Sequence, residues 1–140
     1  MTRTTSKLMI AAAALVVATG VASAQSMKAD VPFSFRFGHD VYPAGTYRVE
    51  IQNGYNIVRL SNWEARQSSA LLVRSIDQAS AQWRASGEPV MAFECGLSRC
   101  QLVRIWAGEE RPAISLPHPK MNRDEVATLR LIHLSRLNGD

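Results

Sequence analysis

The sequence predicts an all-β fold: a single antiparallel β-sandwich or small barrel built of hairpins, preceded by a signal peptide. Three observations carry this. Segments with apolar residues at every second position recur at spacings near ten residues, turn-forming Gly, Pro and Asn separate them, and no strand–helix–strand rhythm interrupts the series. The inward positions are rich in Val, Ile, Leu and Phe, without the small-residue lining of a ligand-holding barrel, so the sandwich is favoured.

At the N-terminus Arg3 and Lys7 precede an apolar stretch over residues 8–17 and then Ala22-Ser23-Ala24, the order of a secretory signal with cleavage after Ala24. This divides the chain into a signal peptide, 1–24, and one β-rich domain, 25–140. The apolar stretch is shorter than the roughly 20 residues that span a bilayer, and no cysteine stands at the cleavage site to carry a lipid. A soluble periplasmic or secreted product with no membrane anchor is expected.

Within the domain, residues 31–37 alternate as Val31-Pro32-Phe33-Ser34-Phe35-Arg36-Phe37, which puts four large side chains on one face of a strand. Pro32 cannot donate to a ladder and belongs at the strand's start or on an edge. Gly38-His39-Asp40 and Tyr42-Pro43-Ala44-Gly45 read as turns. Residues 46–60 read as a hairpin about a two-residue Asn53-Gly54 turn. That register pairs Val49 with Val58 and Tyr47 with Leu60 on an apolar face, and Glu50 with Ile57 and Arg48 with Arg59 on a polar one.

Residues 69–75 contain Ala70-Leu71-Leu72-Val73 and read as a short buried strand; 76–88 read as a loop with room for one helical turn. A second hairpin is expected over 89–106 around Gly96-Leu97-Ser98-Arg99, with Cys95 opposite Cys100 and with Phe93/Leu102 and Val90/Ile105 contacts. Cross-strand neighbours lie within disulfide reach, and a nearby cysteine pair in an exported protein is expected to be oxidised. Residues 113–116 read as a short strand and 126–134 as a closing strand, although Asp124-Glu125 could also begin a helix there.

Two stretches, Val31-Pro32-Phe33-Ser34-Phe35-Arg36-Phe37-Gly38 and Tyr42-Pro43-Ala44-Gly45-Thr46-Tyr47-Arg48-Val49, resemble the start of a family of small exported bacterial proteins of acidobacterial type. Its pattern is PFxFxxG followed by LPAGxYxV. Met91-Ala92-Phe93, Leu102-Val103-Arg104-Ile105-Trp106 and Leu116-Pro117 with Lys120 are similar to the family's later strands and tail. The resemblance implies export and marks a family, not a reaction. Tyr42 replaces the usual Leu, and the cysteine pair is an addition to the pattern.

Removing Arg3 and Lys7 with the signal leaves 14 of the 16 basic residues against 12 acidic ones. The basic residues stand singly between apolar ones, not in the stripe that a phosphate backbone needs, so nucleic acid is not an expected partner. His39, His118 and His133 lack metal-ligand spacing, and no metal or cofactor is expected. No G-x-S-x-G surrounds a serine, and Glu109-Glu110 share one loop, unlike carboxylates facing across a cleft. Trp63 and Trp83 lie in polar surroundings and are the candidate binding surface, since indoles present large rigid area at interfaces. The expected role is a non-enzymatic exported domain binding a protein or an envelope or matrix polysaccharide. The alternatives are a secreted hydrolase-like enzyme and a small apolar-ligand carrier, the latter needing a closed pocket of about 300 Å³ or more.

Overall fold

The alternation of apolar residues folds the chain into two facing sheets, seen in a computed structural model that describes residues 25–52, 54–64, 67–120 and 126–137. The expected signal segment 1–24, Asn53 of the expected turn and Asp124-Glu125 lie outside the described residues. In chain order the elements are β1 (Gln25–Val31), β2 (Phe35–Phe37), β3 (Asp40–Tyr42), β4 (Gly45–Gln52), β5 (Ile57–Asn62), β6 (Ser68–Leu72), β7 (Ser75–Asp77), α1 (Ala81–Ser86), β8 (Val90–Cys95), β9 (Cys100–Trp106), β10 (Ala113–Ser115), β11 (Thr128–His133) and β12 (Ser135–Arg136). Sheet A runs β12-β1-β4-β5-β6. Sheet B runs β11-β8-β9-β10-β7, with β2 beside β9 and β3 beside β2. All pairings are antiparallel except β2 with β9, so the molecule is a β-sandwich.

The expected first strand is two strands in different sheets. Val31 ends β1 in sheet A and Phe35 begins β2 in sheet B. Pro32, with no N–H to give a ladder, sits at the crossover. Upstream of it, Met27 and Ala29 face the core while Lys28 and Asp30 face out, a strand the sequence reading did not include. Of the expected Gly38-His39-Asp40 turn, Gly38 and His39 form a two-residue loop and Asp40 begins β3: Phe37 pairs with Asp40, and Gly38 has φ 64°, the positive value required at the first central position of a type II′ turn.

The β4–β5 hairpin departs from the two-residue turn. Gln52 pairs with Ile57, Val49 with Leu60 and Glu50 with Arg59, leaving 53–56 as the connection. The Asn56 N–H closes it on the Gln52 carbonyl at 3.2 Å, and Gly54 and Tyr55 both take positive φ. A shift of two residues keeps every side chain on its own face, so the apolar assignment survives. The shift sets Arg59 against Glu50 instead of Arg48, and it lets the Tyr55 ring pack on the core.

Residues 69–75 are not a buried strand. β6 is the edge of sheet A, with Leu71 turned inward and Leu72, 72 % exposed, turned out. β7 and β12 are short edge pieces that close the sandwich, too brief for periodicity to reveal.

Phe35 is the hub of the inter-sheet core, its ring centroid 5.8 Å from Tyr42, 5.1 Å from Tyr47 and 5.2 Å from Phe93. Both buried phenols find hydrogen-bond partners at the rim, Tyr47 donating to the Pro43 carbonyl and Tyr42 sharing a hydrogen bond with the Ser69 hydroxyl. Burial pushes both phenols above their ordinary value. These aromatic side chains pack between the two sheets.

β8 and β9 form the expected hairpin, with Cys95 opposite Cys100 and Phe93 opposite Leu102. The register then shifts, so that Ala92 faces Arg104, Met91 faces Ile105 and Val90 faces Trp106. Val103 is the extra residue of a β-bulge. Unbroken alternation from Leu102 would aim Arg104 into the core and Ile105 out of it. The bulge reverses this parity: Leu102 and Ile105 both enter the inter-sheet core, while Val103 and Trp106 join a second cluster on the outside of sheet B. It also replaces the expected Val90/Ile105 contact with Val90/Trp106.

Cys95 and Cys100 are joined as a disulfide, with Gly96 N–H on the Arg99 carbonyl at 2.7 Å inside the loop. So short a loop has little closure entropy to lose, about 2 kcal/mol in the chain-entropy model. Reduction should therefore lower the melting temperature without abolishing the cooperative transition. Thermal melts with and without reductant, with thiol alkylation to confirm reduction, check this.

Candidate functional site

Alternation along β1, β4 and β5 sends Lys28, Asp30, Thr46, Arg48, Glu50, Arg59 and Ser61 to the outside of sheet A, and Lys28, Arg48 and Ser61 form one row across three strands. Trp63 is the next outward position after Ser61. Its N–H donates to the Thr46 carbonyl at 3.0 Å, prolonging the β5 ladder beyond Asn62. Asn62 is buried and accepts from the Glu64 N–H through Oδ1 at 2.9 Å, an Asx turn that bends the chain just after the indole. The tryptophan is thereby held on the sheet and not on a free loop.

Trp63 is 53 % exposed. Lys28 Nζ lies 5.7 Å and Arg48 Cζ 5.6 Å from its ring centroid, both in cation–π range. The carboxylates of this face have local partners. Asp30 accepts from Thr46 Oγ1 at 2.7 Å; Glu50 accepts from Gln52 Nε2 at 3.0 Å and lies 3.8 Å from Arg48 Nε. Among the described residues neither Lys28 nor Arg59 enters an ion pair.

Past Lys28 the face opens into a groove of about 550 Å³ lined by Lys28, Asp30, Leu131, His133, Ser135 and Arg136 among others, between β1 and the β11–β12 crossover. Arg136 is set there by Glu109 at 2.8 Å. That guanidinium, by hydrogen bond and charge, holds the exposed Glu109 carboxyl below its ordinary value.

Trp83, the other candidate, is only 8 % exposed and does not contribute an open surface. The Ser80 hydroxyl caps α1 by accepting from the Trp83 N–H at 3.2 Å, and Gly87 ends the helix at φ 70° with its N–H on the Trp83 carbonyl. The indole stacks on Trp106 at 6.4 Å with Arg104 Cζ 5.1 Å from its ring. Trp83 is thus the lid on the outer apolar cluster. The polar residues around it in sequence are the solvent side of one helical turn, a pattern too short to show a buried face.

The histidines are less scattered than their spacing suggested. His39 and His118 line one surface groove of about 300 Å³ with Gly38, Leu71, Pro117 and Pro119, and His118 Nδ1 is 2.9 Å from the Leu116 carbonyl. His133 lies 3.5 Å from Glu88. Among the described residues no three His, Cys, Asp or Glu side chains converge as metal ligands, and no helix is long and apolar enough to cross a membrane.

No family model matches the chain, and no curated protein or solved structure is significantly similar to it. The meeting of Lys28 with Arg48 was missed by sequence reasoning because Lys28 lies in the unassigned β1. The signal for that strand was present: Ser26, Lys28 and Asp30 alternate with Met27, Ala29 and Val31.

Proposed function

We propose that this chain is an exported, non-enzymatic binding domain that takes a protein or an envelope or matrix polymer on the outside of sheet A, at Trp63. The observation that carries the reading is an indole held half-exposed on the sheet with two cations within cation–π distance of its ring. Large aromatics exposed on rigid elements are the anchors of recognition surfaces, whereas the other two tryptophans are packed against each other. Export is supported by the basic, apolar and A-x-A order of residues 1–24 and by a disulfide suited to an oxidising compartment. The resemblance of the first half of the domain to small exported acidobacterial-type proteins points the same way.

The test is fractionation of a native host expressing the parent or Trp63→Ala. Protein recovered outside the cytoplasm should begin at Gln25 by intact mass and be retained on envelope or matrix material, and the variant should be released from it. Full-length chain in the membrane fraction would refute export. Equal retention of a folded Trp63→Ala variant would refute the site.

A further inference from the structure

Resting on that reading of the Trp63 face, we infer that its ligand is an acidic polysaccharide, a chain of uronate-bearing sugars lying across sheet A. Three features select this chemistry. The first is the exposed indole, whose electron-rich face attracts the polarised C–H groups of a pyranose ring as it attracts other positive edges. The second is charge. The sheet face carries Lys28, Arg48 and Arg59 against Asp30 and Glu50, and both carboxylates are engaged by Thr46, Gln52 and Arg48, so that among the described residues neither Lys28 nor Arg59 enters an ion pair. A sugar stacked on the exposed part of Trp63 would carry its carboxylate toward Lys28 and Arg48, which lie 5.7 and 5.6 Å from the ring centroid.

The third feature is shape. Lys28 belongs both to the tryptophan platform and to the groove of about 550 Å³ that runs on toward Ser135 and Arg136. An open trough continuous with a flat platform accommodates an extended chain and offers no enclosure for a single small molecule. A protein partner would ask for an apolar interface core, but the indole stands here in a field of charged and hydroxyl side chains. The exposed Leu72 lies on β6, across β5 from the β4 row that carries Arg48.

The experiment is affinity electrophoresis and calorimetry of the protein recovered from the periplasm of an expressing host. The probes are polygalacturonate and, as the neutral comparator, an unbranched β-glucan of similar length. Polygalacturonate should bind with an affinity that falls as salt rises, and the glucan at least about tenfold more weakly, a difference of about 1.4 kcal/mol. Lys28→Gln should cost about tenfold on polygalacturonate and clearly less than that on the glucan, while Trp63→Ala should lower both and Trp63→Phe should restore much of the loss. Should Trp63→Ala fail to fold, Lys28→Gln, at an exposed position, carries the decision.

Equal binding of both polymers, or polygalacturonate binding indifferent to Lys28, would overturn the acidic specificity; continued dependence on Trp63 would then leave the binding face standing. Absence of binding to either polymer would overturn the polysaccharide assignment, and envelope retention would judge the binding face separately. Binding indifferent to both Lys28 and Trp63 would remove the ligand and the face together.

Discussion

Val49→Asp is expected to abolish the cooperative unfolding transition at neutral pH. Val49 is fully buried on β4, between Met27 of β1 and Leu60 of β5, and faces the aromatic core. An ionised carboxylate has no partner there, and stripping its water costs several kcal/mol, a large part of the roughly 5–15 kcal/mol that holds a domain together. Burial raises the carboxyl's pKa, so acidification should restore part of the structure by neutralising it. Glu50→Ala, one residue along and on the outer face, removes a 3.8 Å contact to Arg48 and should cost under about 1 kcal/mol. Circular dichroism melts of the two variants at neutral and mildly acidic pH provide the check. A sharp transition for Val49→Asp within a few degrees of the parent would contradict the assigned faces of sheet A.

Ile105→Asp is expected to be as damaging, although Val103→Ala is not. Unbroken alternation from Leu102 would put Ile105 outside sheet B, where a carboxylate is tolerated, but the extra residue Val103 turns Ile105 into the inter-sheet core with Leu102, where it is fully buried. An ionised carboxylate without a partner there costs several kcal/mol, a large part of what holds a domain of this size together. Val103→Ala keeps the bulge and loses only apolar contact on the outer cluster, about 1–2 kcal/mol. The Ile105→Asp chain should fail to show a cooperative melt or dispersed amide resonances. An Ile105→Asp variant that melts like Val103→Ala would show that β9 does not take the parity of the bulge.

These two positions mark where the sequence was legible and where it was not. The inward face of β4 was evident, because Tyr47, Val49 and Ile51 alternate with polar residues and a register shift of two leaves that face unchanged. The bulge was invisible: Leu102-Val103-Arg104-Ile105-Trp106 has no glycine to mark it, and its parity is set by what the two faces of sheet B must cover. β1 was overlooked because Met27 and Ala29 are weak strand formers. Its pairing along the whole of β4, from Gln25 with Ile51 to Val31 with Gly45, overrides that preference.

The same division applies to the candidate site. Trp63 and Trp83 look alike in sequence, each an indole among polar residues, and only the fold separates them. A helix of six residues turns Trp83 onto Trp106, while an outward sheet position leaves Trp63 exposed beside Lys28 and Arg48.

By itself the sequence determined the all-β class, the inward faces of β4 and β5, the cysteine pairing and the positions of most turns. Each of these depends on residues close together along the chain, on a period of two or on the backbone freedom of a Gly. The tertiary structure alone decided the crossover at Pro32 between sheets, the parity of β9, which tryptophan is covered, and the meeting of Lys28 with Arg48 and Trp63. Those depend on contacts between segments distant in the chain, chosen by which faces must be buried together once two sheets pack, and no local pattern encodes that choice.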